Sequence, residues 1–288
     1  MTAEAPAIAA PTPLWRRLLN HRSFMVGATL FGSIVLMALL ADLIAPHDPL
    51  RNNFRYRLGA PNDVHWLGTD RAGRDVLSRI VHGSQVSLRI GLMVVLFTGV
   101  CGAVIGGLAG YFRHLDNVVM RVMDAMMAFP GILLAIAIAA VLGPSEFNAV
   151  LALSITYTPR TARVARAAVL VVREMPYVEA ARAVGAGHAR ILLTHVLPNG
   201  LTPLIVQLSY IFAIAILAEA VLSFIGVGPP PPMPTFGNII ADGRDFVQEA
   251  PWICLYPGLA IAVAVLGLNL IGDGLRDALD PRMKVDLR

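Results

Sequence analysis

The sequence predicts an all-α, polytopic membrane protein with six transmembrane helices, and its composition and the spacing of its apolar residues support this fold class. Apolar side chains make up 56% of the 288 residues, charged side chains make up 15%, and the mean hydropathy is +0.67. The apolar residues also occur in long blocks, which a soluble core does not need. A bilayer core about 30 Å thick requires about 20 mostly apolar residues per helix, so each block is a candidate span.

The first candidate span lies at 24–44, behind a cytoplasmic N-terminal tail at 1–23. Residues 24–41 carry no charge, and the tail contains Arg16, Arg17 and Arg22. Because the apolar stretch is longer than the core of a signal peptide and follows so long a tail, we expect a retained helix. The residues at 45–85 then form a predicted extracytoplasmic loop.

A core with five further spans is predicted at 86–281, and a short C-terminal tail at 282–288 follows it. In the second span, Gly102, Gly106 and Gly110 stand four residues apart, so one face of that helix is nearly bare backbone and another helix can approach closely. The five spans are predicted near 86–111, 118–142, 148–172, 201–225 and 253–275.

Six spans place both termini on one side of the membrane, and the arginines favour the cytoplasmic side. Lysine and arginine in short loops and tails are retained in the cytoplasm, so the larger basic set is expected there. With the N-terminus inside, that set is Arg16, Arg17, Arg22, Arg113, Arg160, Arg163, Arg166, Arg173, Arg182, Arg190, Arg276, Arg282, Lys284 and Arg288. The outside set is Arg51, Arg55, Arg57, Arg71, Arg74, Arg79 and Arg244. The sequence therefore favours an N-in, C-in topology.

Several classes of function are excluded by what the sequence lacks. The net charge of +4 reflects scattered arginines, and no basic run with interleaved aromatic residues indicates a nucleic-acid partner. The one lysine, Lys284, follows no glycine-rich loop, so the chain has no P-loop and cannot hydrolyse ATP by that motif. Neither G-x-S-x-G nor H-E-x-x-H occurs. We therefore expect no enzyme activity, and any uphill transport would take its energy from elsewhere.

An ion gradient is one such source, and it would place function in ionisable residues within the spans. Asp124 and Glu219 are the candidates for a polar pathway, although Arg121 lies within helical pairing distance of Asp124. An interfacial or neutralised role is at least as well supported for each. Asp63 and His65 in the first loop could contact a metal, but we interpret them as a solvated loop and expect no metal or other cofactor on this chain.

The polar stretch at 173–199 separates the fourth and fifth spans. Pro176 suits a first helical turn, and Glu179 places a carboxylate near the helix N-terminus, where the dipole favours it. Gly185 and Gly187 predict the end of that helix, a second helical stretch follows at 188–196, and Pro198 precedes the fifth span. These residues are equally compatible with a solvated connector and with a small-surfaced helix that docks on a partner.

A family resemblance favours the docking interpretation. The motif resembles the EAA loop of the membrane subunits of bacterial ABC importers, which in that family forms a coupling helix that docks on an ATPase subunit. Its matching positions here are Glu179, Ala180, Ala181, Gly185, Leu197 and Pro198. The general pattern has isoleucine where this chain has His195, and a histidine before x-Leu-Pro-Asn resembles the peptide and nickel branch.

Three more stretches resemble the second permease subunit of dipeptide, oligopeptide and nickel importers. They lie at 66–92, 218–244 and 269–282. The resemblance implies a type I ABC importer transmembrane domain in the bacterial cytoplasmic membrane. It also implies a homologous second permease subunit, two ATP-binding subunits that hold ATP and Mg²⁺, and an extracytoplasmic solute-binding protein. Peptides are the first expected substrate and nickel the second, with an ion-coupled carrier as the alternative from another class.

Overall fold

The structure is a computed structural model, and it describes residues 14–279. The predictions for 1–13 and for the tail at 282–288, with Arg282, Lys284 and Arg288, lie outside the described residues. Within 14–279 the chain forms α-helices and short 3₁₀ and π turns but no β-strand. The α-helices in chain order are α1 Leu14–Asn20, α2 Arg22–Leu39, α3 Ala41–Ile44, α4 Val76–Tyr111, α5 Arg113–Met127, α6 Gly131–Leu142, α7 Glu146–Val172, α8 Pro176–Ala183, α9 His188–Ile191, α10 Leu201–Ile225, α11 Phe236–Gly243 and α12 Trp252–Leu279.

The first predicted span corresponds to α2, which breaks at Leu40 before the short α3. α2 packs closely against the last helix, α12. A Cβ added at Gly27 would lie 2.7 Å from the carbonyl oxygen of Gly267, which is too close for any side chain. α2 and α12 therefore form a tight pair.

The second predicted span corresponds to α4, which begins earlier than predicted, at Val76 and not near residue 86. The Asp75 carboxylate accepts a hydrogen bond from the Ser78 backbone N–H and so caps the helix. Val76 and Ile80 are buried in the protein core. Polar residues lie between Val76 and the apolar span predicted from residue 86, so hydropathy did not predict that the helix starts at Val76. The first turns of α4 are stabilised by burial in the protein and not by lipid. The prediction of a loop over the whole of 45–85 is therefore wrong at its C-terminal end.

The third predicted span is a pair of helices, α5 and α6, bent by 90° at a short break. Pro130 lies in that break and precedes α6. Proline has no backbone N–H and disfavours helical backbone in the residue before it, here Phe129, so a helix cannot continue through this point without a kink. The pair forms either a broken span or a re-entrant segment.

The glycine face predicted for the second span packs against α7. A Cβ added at Gly106 would lie 2.1 Å from the carbonyl oxygen of Ala162, and one at Gly102 would lie 2.6 Å from the Thr161 side chain. At Gly110 the corresponding atom is the Arg166 carbonyl oxygen, at 2.9 Å. α4 and α7 therefore approach each other closely over about two helical turns, as the spacing of the glycines predicts.

In the described part of the chain, four helical segments are long and apolar enough to cross a membrane, and the bent α5–α6 pair would make a fifth span. The predicted span near 148–172 is α7, which has 27 residues but carries Arg160, Arg163 and Arg166 in its second half. The last two predicted spans correspond to α10 and α12. α10 lies between two buried clusters, because Ile216 contributes to one of them and Ile211 to the other.

Candidate functional site

The 173–199 loop folds into a compact structure at the end of α7. Its first helix, α8, begins with Pro176, and Glu179 lies in its first turn. Gly185 ends the helix with a φ of +84°, a left-handed conformation that glycine adopts without strain. The Ala186 N–H donates to the Ala181 carbonyl oxygen at 3.0 Å across this turn. The predicted helix and its glycine stop are both present.

The 173–199 loop has a small apolar core of its own, which joins it to α7. We call this set the loop core; its buried members are Val169, Val172, Val178, Ala181, Ile191, Leu192 and Val196. Glu179 and Ala180 are exposed, whereas Ala181 is 9% exposed and packs inside. α8 turns the Ala181 side chain toward the loop core, so Glu179 and Ala180 are the exposed residues of the Glu-Ala-Ala motif.

The second half of the loop returns the chain to α10 by a continuous helical path. α9 is followed by a π turn at Leu192–Val196 and a 3₁₀ turn at Pro198–Gly200. Leu197 is half-buried and Pro198 is exposed. The His188 Nδ1 atom lies 3.0 Å from the Tyr111 hydroxyl, which ties the loop to the end of α4. The predicted helix at 188–196 is confirmed, and the π turn within it was not predicted.

Asp124 and Glu219 lie on different helices and, among the residues that the structure describes, bind different partners. Asp124 on α5 is 60% exposed and pairs with Arg163 of α7 at 2.6 Å, not with Arg121. Glu219 on α10 is fully buried, and it accepts hydrogen bonds from the hydroxyls of Ser87 and Ser223 at 2.8 and 2.6 Å. Their surroundings do not join them into one polar pathway.

A network of charged side chains lies at the other end of α4 and α10 from the loop. We call it the Arg–Asp cluster, and its members are Asp70, Arg71, Arg74, Arg79 and Asp242. Arg74 and Arg79 each contact both carboxylates, with Arg79 Nη1 at 2.5 Å from Asp70 Oδ2 and 2.9 Å from Asp242 Oδ2. The cluster therefore fastens the segment before α4 to α11.

The Arg–Asp cluster was not predicted, because its arginines were counted only as charges of the first loop. A signal was available in Arg79, which stands between the apolar residues Val76 and Ile80 of a helical sequence and would be buried there. Its side chain is 2% exposed. The partner on α11 is far away in the sequence, so only the fold reveals the network.

His65 is not the solvated residue that the sequence suggested. It is 6% exposed, and its Nδ1 atom lies 2.9 Å from Asp75 Oδ1. His47 stacks on it with ring centroids 4.6 Å apart. The ligand atoms of His47, His65 and Asp75 lie within 4.8 Å of one another, so these are the described residues that could hold a metal ion. The hydrogen bonds of Asp75 to His65 and Ser78 also explain the arrangement without an ion.

Comparison with known proteins identifies the family. Residues 100–285 match the model of the binding-protein-dependent transport system inner membrane component family. Residues 13–61 match the N-terminal transmembrane domain of oligopeptide transport permease C.

Individual relatives agree over nearly the whole chain. A peptide transport system permease protein of Brucella abortus biovar 1 is 51% identical, covering 94% of this chain and 92% of the relative. The dipeptide transport system permease protein of Alkalihalophilus pseudofirmus is 44% identical, covering 94% and 89%. The glutathione transport system permease protein of Pectobacterium atrosepticum is 40% identical, covering 94% and 90%.

A solved structure shows the same fold at lower identity. A chain of the MetNI methionine ABC transporter in an inward-facing conformation superposes with a TM-score of 0.57 and 20% identity, covering 70% of this chain and 96% of that one. Together with the family match, this superposition gives the fold as that of an ABC transporter permease. The chain therefore belongs to the family of binding-protein-dependent transport system inner membrane components, and it is a permease subunit of an ABC importer.

Proposed function

We propose that this chain forms half of the translocation pathway of an ATP-driven importer of dipeptides or oligopeptides in a bacterial cytoplasmic membrane. The observation that supports the substrate class is the name shared by the relatives, which are peptide or dipeptide permeases that match over about nine-tenths of the chain. A homologous second permease subunit would form the other half. Two ATP-binding subunits would hold ATP and Mg²⁺, and an extracytoplasmic binding protein would deliver the peptide.

We propose six spans with both termini inside: α2, α4, the α5–α6 pair, α7, α10 and α12. α7 is about 40 Å long at 1.5 Å per residue, enough to cross a hydrocarbon core of about 30 Å even though its arginines lower its hydropathy. This topology places the 173–199 loop in the cytoplasm. It places the Arg–Asp cluster outside, on the first turns of an α4 helix about 54 Å long that must extend beyond the bilayer.

The 173–199 loop is the proposed coupling element, with Glu179, Ala180, Gly185 and Pro198 on its surface and Ala181 and Leu197 supporting them from within. Glu179 and Ala180 are exposed on one short helix, and the small alanine side chain allows close approach of a partner surface. Because the loop core fixes α8 to α7, closure of the ATPase subunits would move α8 and the helices packed on it together. This links binding energy to a two-state element, as alternating access requires.

Reconstitution tests this proposal. The complete complex with its binding protein is placed in liposomes, and uptake of labelled dialanine is measured with and without internal ATP. We expect uptake that requires ATP and persists when the proton gradient is collapsed with an uncoupler. Uptake that needs the proton gradient and no ATPase subunit would refute the proposal and favour an ion-coupled carrier. A parallel measurement with radioactive nickel distinguishes the second substrate, nickel, from peptide.

A double variant tests the coupling site separately. Glu179→Lys combined with Ala180→Trp changes the charge and fills the space on the exposed face of α8 without touching the loop core. We expect the complex to assemble less tightly with the ATPase subunits and to import less peptide per ATP hydrolysed. Exposed Arg190→Glu on α9 is the control, because it reverses a charge in the same loop away from α8. Equal effects of the two changes would contradict the assignment of the site.

A further inference from the structure

A cavity of about 350 Å³ lies beside the Arg–Asp cluster, between the C-terminal end of α10 and α11. Its wall includes the arginines of the cluster and Asp242, together with apolar residues of the proline-rich segment after α10. Ligand pockets in proteins begin at about 300 Å³, so the cavity has room for the end of a peptide or for one side chain of another protein.

The charges at this cavity do not balance. The Asp242 carboxylate pairs with three guanidinium groups, those of Arg71 at 3.0 Å, Arg74 at 2.8 Å and Arg79 at 2.9 Å. Asp70 also pairs with two of these arginines, Arg74 and Arg79. Three arginines therefore face two carboxylates, which leaves one positive charge. Arg244, also in the cavity wall, pairs with Asp245 at 3.4 Å, so it does not change the excess of one positive charge.

Arg79 adds a second and independent observation. Its side chain is 2% exposed, yet its Nε atom is buried without a hydrogen-bond partner. A buried N–H of a charged group that forms no hydrogen bond is destabilising, because it has lost its water and gained nothing. Because the Nε atom is itself buried, a group in the cavity would act on Arg79 through its positive charge and not through a bond to Nε. The excess positive charge of the cavity wall favours a negatively charged group there.

We propose that this cavity binds a carboxylate group. Guanidinium groups form strong, charge-assisted hydrogen bonds to carboxylates, and the two aspartates of the cluster are already held by single donors of this kind. The inference rests on the proposed function, which places the cavity on the extracytoplasmic side. Two sources of a carboxylate reach that side: the C-terminus of a peptide released from the binding protein, and an acidic side chain of the binding protein itself.

Arg71→Gln is the variant that tests the site. The Arg71 side chain is 56% exposed and contacts only Asp242 in the cluster, so its loss leaves the bonds of Arg74 and Arg79 in place. It also brings the cluster to two arginines and two carboxylates. Arg71→Lys restores the charge without the paired donors. Arg55→Gln is the matched control, because it removes one exposed arginine from the same loop outside the cavity.

The first arm measures peptide binding to the assembled permease and ATPase complex in nanodiscs without the binding protein. Saturation-transfer NMR compares dialanine with dialanine amide, which lacks the terminal carboxylate. If the peptide is the source, dialanine binds and its amide does not. Arg71→Gln then weakens dialanine binding about tenfold, the loss expected when one charged hydrogen bond is removed, and Arg71→Lys restores part of it.

The second arm measures docking of the peptide-loaded binding protein on the same nanodiscs by biolayer interferometry. If an acidic side chain of the binding protein is the source, Arg71→Gln weakens docking about tenfold while dialanine and its amide behave alike in the first arm. If Arg71→Gln matches Arg55→Gln in both arms, or if the wild-type complex shows neither interaction, the inference is wrong. A complex that passes either arm but imports no peptide with ATP would refute the proposed function alone.

Discussion

Gly185 and Gly187 allow a test of the 173–199 loop in which one substitution is made at two neighbouring sites. A Cβ added at either glycine would meet no atom within 4 Å, so a small side chain fits at both. The backbone differs, because Gly185 has a φ of +84° while Gly187 has a φ of −67° and caps α9. Serine is strained at the first position and is a preferred capping residue at the second.

We expect Gly185→Ser to destabilise the loop by about 1 kcal/mol, the lower end of the cost of left-handed backbone for a residue with a Cβ. Gly187→Ser should leave it unchanged or stabilise it slightly. Local opening would then expose the Ala186 N–H, which bonds Ala181 across the turn, about fivefold more often. Hydrogen exchange of the assembled complex, read by mass spectrometry on peptides from this loop, measures the difference directly.

The same two variants test the functional role of the turn. If the loop couples the ATPase subunits to the pathway, Gly185→Ser should lower the peptide imported per ATP hydrolysed, and Gly187→Ser should not. Equal exchange rates in the two variants would refute the argument from the backbone. Faster exchange in Gly185→Ser with unaltered uptake per ATP would refute the coupling role while leaving the geometry intact.

Three further changes test packing and the buried carboxylate. Ala181→Leu overfills the loop core and should cost about 1 to 3 kcal/mol in thermal unfolding, whereas Ala180→Leu on the exposed face should leave stability unchanged and weaken ATPase association. Gly106→Ala places a methyl group against the backbone of α7 and should lower the melting temperature of the purified subunit, while Gly32→Ala, with open space around it, should not. Glu219→Gln replaces one accepting oxygen by an amide donor, so we expect a loss of about 1 kcal/mol in stability with ATP-driven uptake retained. Loss of all uptake in Glu219→Gln, with the complex still assembled, would favour the ion-coupled alternative.

The sequence predicts most of this fold because long apolar blocks and helix-ending residues act locally. The span near 201–225 coincides with α10, since glycine and proline mark its start and Gly226 its end. The break between α5 and α6 carried an equally local signal, Pro130, but the apolar residues on both sides concealed it. Hydropathy reports how apolar a block is and does not report its direction, so a 90° bend cannot be derived from it.

The sites were less predictable because they depend on contacts between distant segments. The motif at Glu179 could be located from the sequence, yet the inward orientation of Ala181 depends on Ile191 and on the end of α7. The Arg–Asp cluster joins Asp70 to Arg79 within one segment and then to Asp242, more than 160 residues later. No local pattern connects residues at that separation, and only the packing of α4 against α11 brings them together.

The loop core leads to a final prediction about how motion of α8 reaches the membrane. Ile191 is 1% exposed and packs with residues from α7 and α8, whereas Leu193, in the next turn, is 63% exposed. Ile191→Ala should remove about 2 to 5 kcal/mol of packing energy from the loop core without altering the exposed face of α8. We therefore expect normal ATPase association and ATP hydrolysis but less peptide imported per ATP.

Leu193→Ala is the control, since it removes a leucine side chain from the adjoining π turn outside the loop core. Packed cores shift between discrete arrangements and do not stretch, so a motion of α8 should pass to α7 and α10 only while the loop core stays filled. If Ile191→Ala and Leu193→Ala give the same ratio of peptide to ATP, motion reaches the membrane by another route. In that case the continuous helical path from α9 into α10 would have to carry it alone.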